Sequence, residues 1–524
     1  MQTYAEDIVQ SLSSFGCDKA FGVSGTNINH IWKALHRPDI AVYNFAHESG
    51  AAFAAAEYSI QTGNFVIVFV TSGPGITNSI TRLRCARADG ARIVFIAGLT
   101  SEETGRTGRR LNQETFPMDV MGLTGPTVDS ALSYCVIVRD GFDVWRLRQT
   151  LVRIKRDPLG GVLGVFLTDA KSKSFTSPLQ QRPNFELCPF PTLSKEALDV
   201  CKEVVEMLKT KRSVLWIGYG CRGASALVRQ LAERYALPVL ATPRAKGIFP
   251  ETHRLYQGTT GLGASLNPMM RTNPPTGVLL GSKATELSSR FIQEEWVDTD
   301  FYCVSLETSE VKRNMPKGSA FIQAEISLFL GAVLEVEDTG QIIAYPLLPK
   351  AIIPPIPAPS RGRIHPATVM SVVQDVAINR CGRSIIADAG RRKQSLLDSP
   401  LPEILQTWAL SIKPRFLSLS DAAMLKQSEV STAVLYGSRA IWLVMNSSQY
   451  GTIDQLTRTW GDVPPPYSIP YTDFELLARA VLCEGFTVTE ENGLRKALGE
   501  ALVRDGPTVI NVLIDSPPMA PLEP

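Results

Sequence analysis

No apolar run in this sequence approaches the roughly 20 residues that a membrane-spanning helix needs. The 524 residues include only five histidines, none in H-x-x-x-H spacing, which argues against a histidine-based metal centre. The nine cysteines form no C-x-x-C pair, and their odd, scattered set indicates reduced thiols instead of a disulfide framework or a zinc site. With 53 basic and 51 acidic residues, the chain has no charge excess for a polyanionic partner.

The N-terminal residues, Met1 to Asp7, show no basic segment followed by an apolar one, so we predict no signal peptide. No Lys/Arg block supports nucleic-acid binding. We therefore expect a soluble, cytoplasmic protein with neither a nucleic-acid nor a membrane partner.

The length of the chain suggests about three domains, because 524 residues exceed what one core holds. Two proline-rich stretches, near 174–191 and 345–366, are typical of linkers. The predicted domains are therefore 1–175, 190–340 and 362–524. Each alternates short apolar runs with amphipathic stretches, a pattern that predicts three successive parallel-sheet α/β domains. The runs read as buried strands lie at 41–45, 65–70, 93–97, 162–167, 213–218, 238–241, 277–281, 302–305, 384–387, 440–445 and 508–513.

A single carboxylate stands out in the stretch Phe45-Ala-His-Glu48-Ser-Gly-Ala-Ala-Phe. Glu48 lies among small and apolar residues, at the start of a segment with helix-forming alanines. Because an ionised carboxylate is costly in such surroundings, this group is suited to hold or deliver a proton near neutral pH.

A glycine-rich turn follows the next apolar strand, in the stretch Val70-Thr-Ser-Gly-Pro-Gly75-Ile-Thr-Asn78. Such a turn lets backbone N–H groups approach a ligand closely, and a helix is predicted to begin there. An earlier strand-to-loop turn, Phe21-Gly-Val-Ser-Gly25, precedes a helix predicted to begin near Asn29.

In order and spacing, these motifs together with Leu111-Asn-Gln113 resemble the pyrimidine-binding domain of thiamine diphosphate (ThDP) enzymes of the acetolactate synthase and benzoylformate decarboxylase type. The resemblance implies that Glu48 faces the N1′ atom of the aminopyrimidine and activates the cofactor. It implies that Gln113 faces the substrate. It also places Gly25, Ser72, Gly73, Pro74, Gly75 and Asn78 around the pyrimidine.

The predicted middle domain carries Gly218-Tyr-Gly220-Cys-Arg-Gly223, which matches the dinucleotide-binding fingerprint G-x-G-x-x-G. The next strand ends in Leu240-Ala-Thr-Pro243, without the acidic residue that binds the ribose of NAD. NAD binding is therefore not predicted. The surrounding segments resemble the central domain of acetolactate synthase relatives, some of which hold FAD; FAD is possible here but not indicated.

The resemblance implies that the third domain holds the diphosphate through Mg²⁺. It assigns the metal to Asp421 and Ser447, and the cofactor to Ala389, Gly390 and Ala422. The family has Gly-Asp-Gly where this chain has Ser420-Asp421-Ala422, and an asparagine where Ser447 stands. A serine hydroxyl is a poorer Mg²⁺ ligand than an amide oxygen, and the added β-carbons restrict the approach of phosphates. An alternative is that Asp421 only caps a helix over 422–436.

The interval before Asp421 is also short. Family members have roughly fifty residues between the strand equivalent to 384–387 and the Gly-Asp-Gly, including a segment that covers the cofactor, whereas Asp388 and Asp421 are only 33 apart. The stretch from Arg391 to Phe416 contains no glycine. Its basic residues Arg391, Arg392 and Lys393 either meet an anion or are simply solvated.

Three functional hypotheses remain open from the sequence. The first is a ThDP-dependent 2-keto acid decarboxylase or carboligase, working as a homodimer or homotetramer with sites between chains. The second is an enzyme on the same fold that has lost ThDP and uses Glu48 as a general acid or base on a small carbonyl compound. The third is a non-catalytic subunit that completes the site of another ThDP enzyme.

Overall fold

A computed structural model of the chain shows three parallel β-sheets with helices packed on them. The structure describes residues 2–100, 130–176, 192–261, 276–289, 299, 301–337, 362–381, 384–387, 416–421, 427–448 and 470–515. The chain divides into two compact units. The first unit contains the N-terminal part up to residue 191 together with the helix Gln427–Leu435 and Tyr436, and the second begins at Thr192.

The first sheet has six parallel strands in the spatial order β2-β1-β3-β4-β6-β5, which makes β2 an edge strand. The strands are β1 Lys19–Gly22, β2 Ala41–Asn44, β3 Val66–Val70, β4 Arg92–Leu99, β5 Tyr134–Ile137 and β6 Gly161–Thr168. The helices of this part are α1 Tyr4–Ser14, α2 Asn29–Leu35, α3 Glu48–Thr62, α4 Pro74–Ala88, α5 Gly141–Arg156 and α6 Asp169–Lys173.

Strand β3 explains why its sequence is a continuous apolar run. Its odd and even side chains enter different hydrophobic clusters, with Ile67 and Phe69 in one cluster and Val66, Val68 and Val70 in the other. All five side chains are fully buried, as expected for a central strand with helices on both faces.

The second sheet, in the second unit, has the order β12-β11-β10-β7-β8-β9. Its strands are β7 Ser213–Ile217, β8 Val239–Ala241, β9 Tyr256–Thr259, β10 Thr276–Leu280, β11 Phe301–Ser305 and β12 Ala320–Gln323. The accompanying helices are α7 Lys195–Thr210, α8 Ser225–Arg234, α9 Glu286–Ser289, α10 Val311–Asn314 and α11 Ile326–Glu335. The buried Trp216 on β7 donates its indole N–H to Thr260 Oγ1 at 3.1 Å, so its one polar group is satisfied.

The third sheet has five parallel strands in the order β13-β14-β15-β17-β16. They are β13 Ser384–Ala387, β14 Phe416–Asp421, β15 Ala440–Asn446, β16 Glu484–Val488 and β17 Thr508–Leu513. The helices are α12 Pro366–Val373, which continues into a π-helical stretch at Gln374–Asn379, then α13 Gln427–Leu435, α14 Phe474–Ala480 and α15 Glu491–Val503. Of these, α13 lies in the first compact unit.

These sheets confirm the predicted fold class of parallel-sheet α/β domains. Every apolar run interpreted as a strand overlaps an observed strand, within two residues at either end. The limits 1–175, 190–340 and 362–524 stay predictions. Of the described helices, none combines the length and hydrophobicity that a bilayer-spanning segment requires.

The loop after β8 contains an ion pair that is almost completely shielded from solvent. Lys246 Nζ lies 3.0 Å from Glu251 Oε2, and the two side chains are 2% and 3% exposed. Within the part of the chain that the structure describes, the other carboxylate oxygen, Oε1, is buried without a hydrogen-bond partner. Burial raises the pKa of Glu251 to about 7, although the Lys246 ammonium opposes this shift. Burial, and then the nearby Glu251, also raise the pKa of Tyr256 well above its usual range.

This pair predicts a pH-dependent free energy of unfolding. Since the pKa of Glu251 is higher in the folded chain than the ordinary value of 4.5, the folded state holds the proton more tightly. The stabilisation is therefore complete below about pH 4.5 and is lost as the pH rises through about 7. We expect Glu251→Gln to remove this dependence, which is on the order of 2 kcal/mol.

Urea denaturation of the wild-type chain and of Glu251→Gln between pH 5 and 8 measures the effect. Glu206→Gln, which replaces an exposed glutamate on α7, is the matched control and should keep the wild-type slope. Parallel stability profiles for wild type and Glu251→Gln would contradict the assignment.

Candidate active site

Glu48 lies at the carboxyl-terminal edge of the first sheet, where it is the first residue of α3. The helix begins there because His47 adopts an extended conformation and its ring nitrogen Nδ1 accepts a hydrogen bond from Ser49 N. Ala51 and Ala52 in the following turn are fully buried, while the Glu48 residue itself is half-buried within the described chain. Among the described residues, the alanines that follow Glu48 are buried as expected, but Glu48 itself stays partly exposed.

The carboxylate of Glu48 is held by an amide from the neighbouring helix. Asn78 Nδ2, on α4, donates to Glu48 Oε2 at 3.0 Å. The sequence hypothesis places Asn78 in the lining of a cofactor pocket, whereas in the structure this side chain contacts Glu48 itself. Asn78 thus fixes one carboxylate oxygen and with it the orientation of the group.

The other oxygen, Glu48 Oε1, faces the glycine turn. A β-carbon added at Gly75 would lie 3.6 Å from Glu48 Oε1 and 3.2 Å from Val70 Cβ. Gly73 has φ +65° and ψ −117°, a conformation that favours glycine, and Pro74 opens α4. Because glycine carries no side chain, the start of α4 packs closely against this carboxylate oxygen.

The turn after β1 packs against the turn after β3. Asn27 Nδ2 donates to the buried Ser72 Oγ at 2.7 Å, and a β-carbon at Gly25 would lie 2.9 Å from Thr71 Cβ. Gly25 and Ser72 therefore hold the turn after β1 against the turn after β3, whether or not they also contact a ligand. Asn27 was not predicted as a site residue, although the small-residue turn Gly25-Thr-Asn27 was a signal for it.

The glycines of the middle-domain fingerprint have a structural explanation. A β-carbon at Gly218 would lie 2.4 Å from Gly281 O, and one at Gly220 would lie 2.8 Å from Gly281 Cα. The N–H groups of Gly220, Cys221 and Ala224 donate to carbonyl oxygens of the protein at 2.8–3.1 Å. The turn therefore packs against another loop and does not offer these N–H groups to a pyrophosphate, consistent with the absence of a predicted NAD site.

The third sheet brings the two predicted metal ligands to one edge. Asp421 is the last residue of β14 and pairs with Met445 of the adjacent, parallel β15, and Ser447 follows β15 directly. Ser447 is half-buried, and Ser448 after it has φ +55°. Asp421 and Ser447 thus come from neighbouring strand ends.

Asn446, just before Ser447, is only 1% exposed and is engaged within the protein. Its Nδ2 donates to Thr472 O at 3.1 Å and to Asn511 Oδ1 at 3.2 Å, while its Oδ1 accepts from Ser448 N at 3.1 Å. Asn446 Oδ1 also accepts a hydrogen bond from Ser448 Oγ at 3.3 Å, so both of its lone pairs are engaged in holding the loop after β15. Among the residues that the structure describes, no group of three His, Cys, Asp or Glu side chains assembles a metal site.

Four predicted site residues lie outside the described residues: Gln113, Ala389, Gly390 and Ala422. The predicted helix over 422–436 is described only from Gln427, so the capping alternative for Asp421 also falls outside this range.

The chain matches models of three successive domains of one enzyme family. They are described as thiamine pyrophosphate enzyme, N-terminal TPP binding domain over residues 2–122, central domain over residues 201–333, and C-terminal TPP binding domain over residues 420–512. The chain is 25% identical to the acetolactate synthase large subunit of Parasynechococcus marenigrum (strain WH8102), over 97% of this chain and 87% of that protein. It is 30% identical to the acetolactate synthase of Mycobacterium bovis (strain ATCC BAA-935 / AF2122/97), over 50% of this chain and 41% of that protein.

Solved structures share the fold. The benzoylformate decarboxylase of Polynucleobacter necessarius superposes with a TM-score of 0.81 at 17% identity, over 100% of both chains. The thiamine diphosphate-dependent 4-hydroxybenzoylformate decarboxylase of Rhodococcus jostii RHA1 gives 0.80 at 16% identity, over 98% of this chain and 100% of that one. Together with the three domain models, which follow one another in family order, these similarities confirm the resemblance: the chain belongs to the thiamine pyrophosphate enzyme family.

Proposed function

We propose that this chain is a ThDP-dependent enzyme that acts on a 2-keto acid, as a decarboxylase or as a carboligase. The observation that carries the proposal is the carboxylate of Glu48, which Asn78 orients and whose other oxygen faces Gly75 at the start of α4. The similar proteins named acetolactate synthase and benzoylformate decarboxylase support this class of reaction.

The first sheet fits the aminopyrimidine half of the cofactor. The fit rests on glycine at position 75, because a β-carbon there would lie 3.6 Å from Glu48 Oε1 and fill the space beside this oxygen. Asn78 occupies Oε2, so Oε1 is the oxygen that faces this space. Glu48 would therefore meet a ring nitrogen through Oε1, and the Gly73–Gly75 turn would border the ring.

The third sheet fits the diphosphate half less fully. Asp421 and Ser447 come together at the carboxyl edge of β14 and β15, where a hard cation finds oxygen ligands. Ser447 offers a hydroxyl in place of an amide oxygen, so we expect Mg²⁺ to bind weakly. The resemblance extends the proposal to a homodimer or homotetramer, which analytical ultracentrifugation measures.

When bound, ThDP supplies a carbon nucleophile and an electron sink for cleavage of the bond to the substrate carboxylate. Glu48 holds or delivers a proton at Oε1, and Asn78 keeps the carboxyl group in the orientation that this transfer requires. In the overall reaction CO2 leaves, and a proton or the carbonyl carbon of a second substrate takes its place.

The first prediction from the proposed function concerns Glu48→Gln. We expect ThDP and Mg²⁺ to bind with a Kd within about threefold of wild type, because the amide is nearly isosteric with the carboxyl group. We expect exchange of the cofactor's C2 proton with D2O to slow by at least about 100-fold, since loss of a general acid or base costs roughly 10²–10⁴-fold.

Calorimetric titration gives the Kd, and ¹H NMR after acid quenching gives the exchange rate. Absence of ThDP binding by the wild-type chain up to millimolar cofactor would refute ThDP dependence. Catalysis by the cofactor-free chain that disappears in Glu48→Gln would instead support the second hypothesis. Binding seen only after mixing with another ThDP enzyme would support the third.

The second prediction concerns Asn78→Ala, which removes the donor to Glu48 Oε2. We expect C2-proton exchange to slow about tenfold, since a hydrogen bond to a charged group contributes roughly 1.5 kcal/mol or more. Asn64→Ala, which truncates an exposed asparagine just beyond α3, is the matched control and should leave the rate unchanged. Equal exchange rates for the two variants would show that Asn78 does not orient Glu48.

The third prediction concerns Ser447→Asn, which supplies an amide oxygen at the proposed metal position. We expect the apparent Mg²⁺ affinity in the presence of ThDP to increase about tenfold, because Mg²⁺ binds a carbonyl-type oxygen better than a hydroxyl. Ser448→Asn is the control, since asparagine tolerates its positive φ and this residue is not assigned to the metal. A higher Mg²⁺ affinity in Ser448→Asn but not in Ser447→Asn would show that residue 447 does not coordinate the metal.

A further inference from the structure

Strand β2, which leads to Glu48, is an edge strand of the first sheet. On its inner side, Phe45 N donates to Gly22 O of β1 at 2.8 Å. The N–H groups of the flanking residues, Asn44 and Ala46, point away from the sheet because backbone groups alternate along a strand. An edge strand must satisfy such groups without another strand.

Helix α13 supplies the missing acceptors. Tyr436, directly after the helix, accepts the hydrogen bond from Asn44 N through its hydroxyl oxygen at 2.5 Å. Thr432 Oγ1 accepts from Ala46 N at 3.3 Å and donates to Ser428 O at 2.9 Å. The Tyr436 ring also packs against Tyr43 of β2 in an edge-to-face arrangement, with centroids 5.2 Å apart.

A third side chain of α13 contacts the beginning of α3. Glu429 Oε1 lies 3.3 Å from the position that a β-carbon of Gly50 would occupy, so glycine permits this close approach. Glu429, Thr432 and Tyr436 are spaced three and four residues apart, which places them on one face of a helix. We call this set of three residues the α13 clamp.

We propose that the α13 clamp positions Glu48. Its three contacts fall on Asn44, Ala46 and Gly50, on both sides of Glu48 in the sequence, and two of them fix backbone N–H groups. Since Asn78 reaches Glu48 at 3.0 Å, a small displacement of this backbone breaks that hydrogen bond. Thr432 and Tyr436 are thus positioning residues that act through Glu48. The catalytic part of this inference rests on the proposed function, whereas the backbone part does not.

The backbone part is tested on the full-length, cofactor-free chain by hydrogen–deuterium exchange and mass spectrometry. We expect Tyr436→Phe and Thr432→Val to increase exchange about tenfold in peptides that cover residues 41–53. Thr432→Ser, which keeps the hydroxyl, should retain the wild-type protection. Tyr58→Phe and Thr62→Val are matched controls, because their hydroxyls bond to Asp18 and to Tyr58 O instead. Unchanged exchange in Tyr436→Phe and Thr432→Val would overturn the inference.

The catalytic part is tested by combining the clamp variants with Glu48→Gln. In the wild-type background, Tyr436→Phe should slow C2-proton exchange about fivefold while the Kd of ThDP changes less than twofold. In the Glu48→Gln background the same substitution should have less than a twofold effect, because a residue that acts through Glu48 loses its role there. Equal losses in both backgrounds would show that Tyr436 only stabilises the fold. Hydrogen–deuterium exchange is measured on the cofactor-free chain. It therefore tests whether the α13 clamp holds this backbone even if ThDP does not bind.

Discussion

The hydrogen bond between Asn78 and Glu48 is the interaction on which the proposed chemistry depends, and the strand order of the first sheet makes it possible. Glu48 follows β2 and Asn78 follows β3, while β1 lies between these two strands. The chain leaves β1 towards β2 on one side of the sheet and leaves β3 towards β4 on the other side. Open α/β sheets bind ligands in the crevice at the carboxyl ends of two strands whose connections diverge in this way, which here are β1 and β3. Glycine at position 22 lets β1 and β3 pack closely, because a β-carbon there would lie 1.9 Å from Phe69 O. Packing of the sheet thus brings the carboxyl group and its amide partner within reach of one another.

At the edge of the third sheet, one residue orders a loop and its neighbour is the proposed metal ligand. The amide of Asn446 uses its nitrogen to bond Thr472 and Asn511 and its oxygen to bond Ser448. These hydrogen bonds order the loop after β15. The metal ligand that we propose is the next residue, Ser447, whose hydroxyl would hold Mg²⁺ less well than an amide oxygen. The order of the loop thus depends on the amide of Asn446, whereas the proposed metal affinity depends on the side chain of Ser447. For this reason a substitution at Ser447 is expected to alter metal binding without disturbing Asn446.

The sequence predicted the elements that depend on local pattern. Fully buried strands such as β3 and β15 were evident as apolar runs, and Glu48 and the Gly73–Gly75 turn were evident as motifs. Short strands with mixed polarity, such as β9 Tyr256–Thr259 and β12 Ala320–Gln323, carry too weak a pattern and were not predicted as strands. The contacts that orient Glu48 were also beyond sequence reasoning. Asn78 is 30 residues away and Tyr436 is 392 residues from its partner Asn44, so no local periodicity links them. The fingerprint at Gly218 is a motif that the sequence shows but that has another cause. Close packing against Gly281 requires glycine at this position as strictly as binding of a phosphate would.

The described residues bear mainly on one stage of the proposed reaction. In the proposed function, a proton held at Glu48 Oε1 would serve cofactor activation, which precedes the choice between releasing an aldehyde and attacking a second carbonyl compound. Asn78 and the α13 clamp act on the orientation of that same carboxyl group, so they change the rate of this early stage for every substrate alike. Selectivity between products must therefore come from side chains that meet the substrate after CO2 has left. Substitutions at Asn78 or Tyr436 should accordingly lower kcat for all substrates in parallel, whereas a residue that selects the substrate would change their ratio.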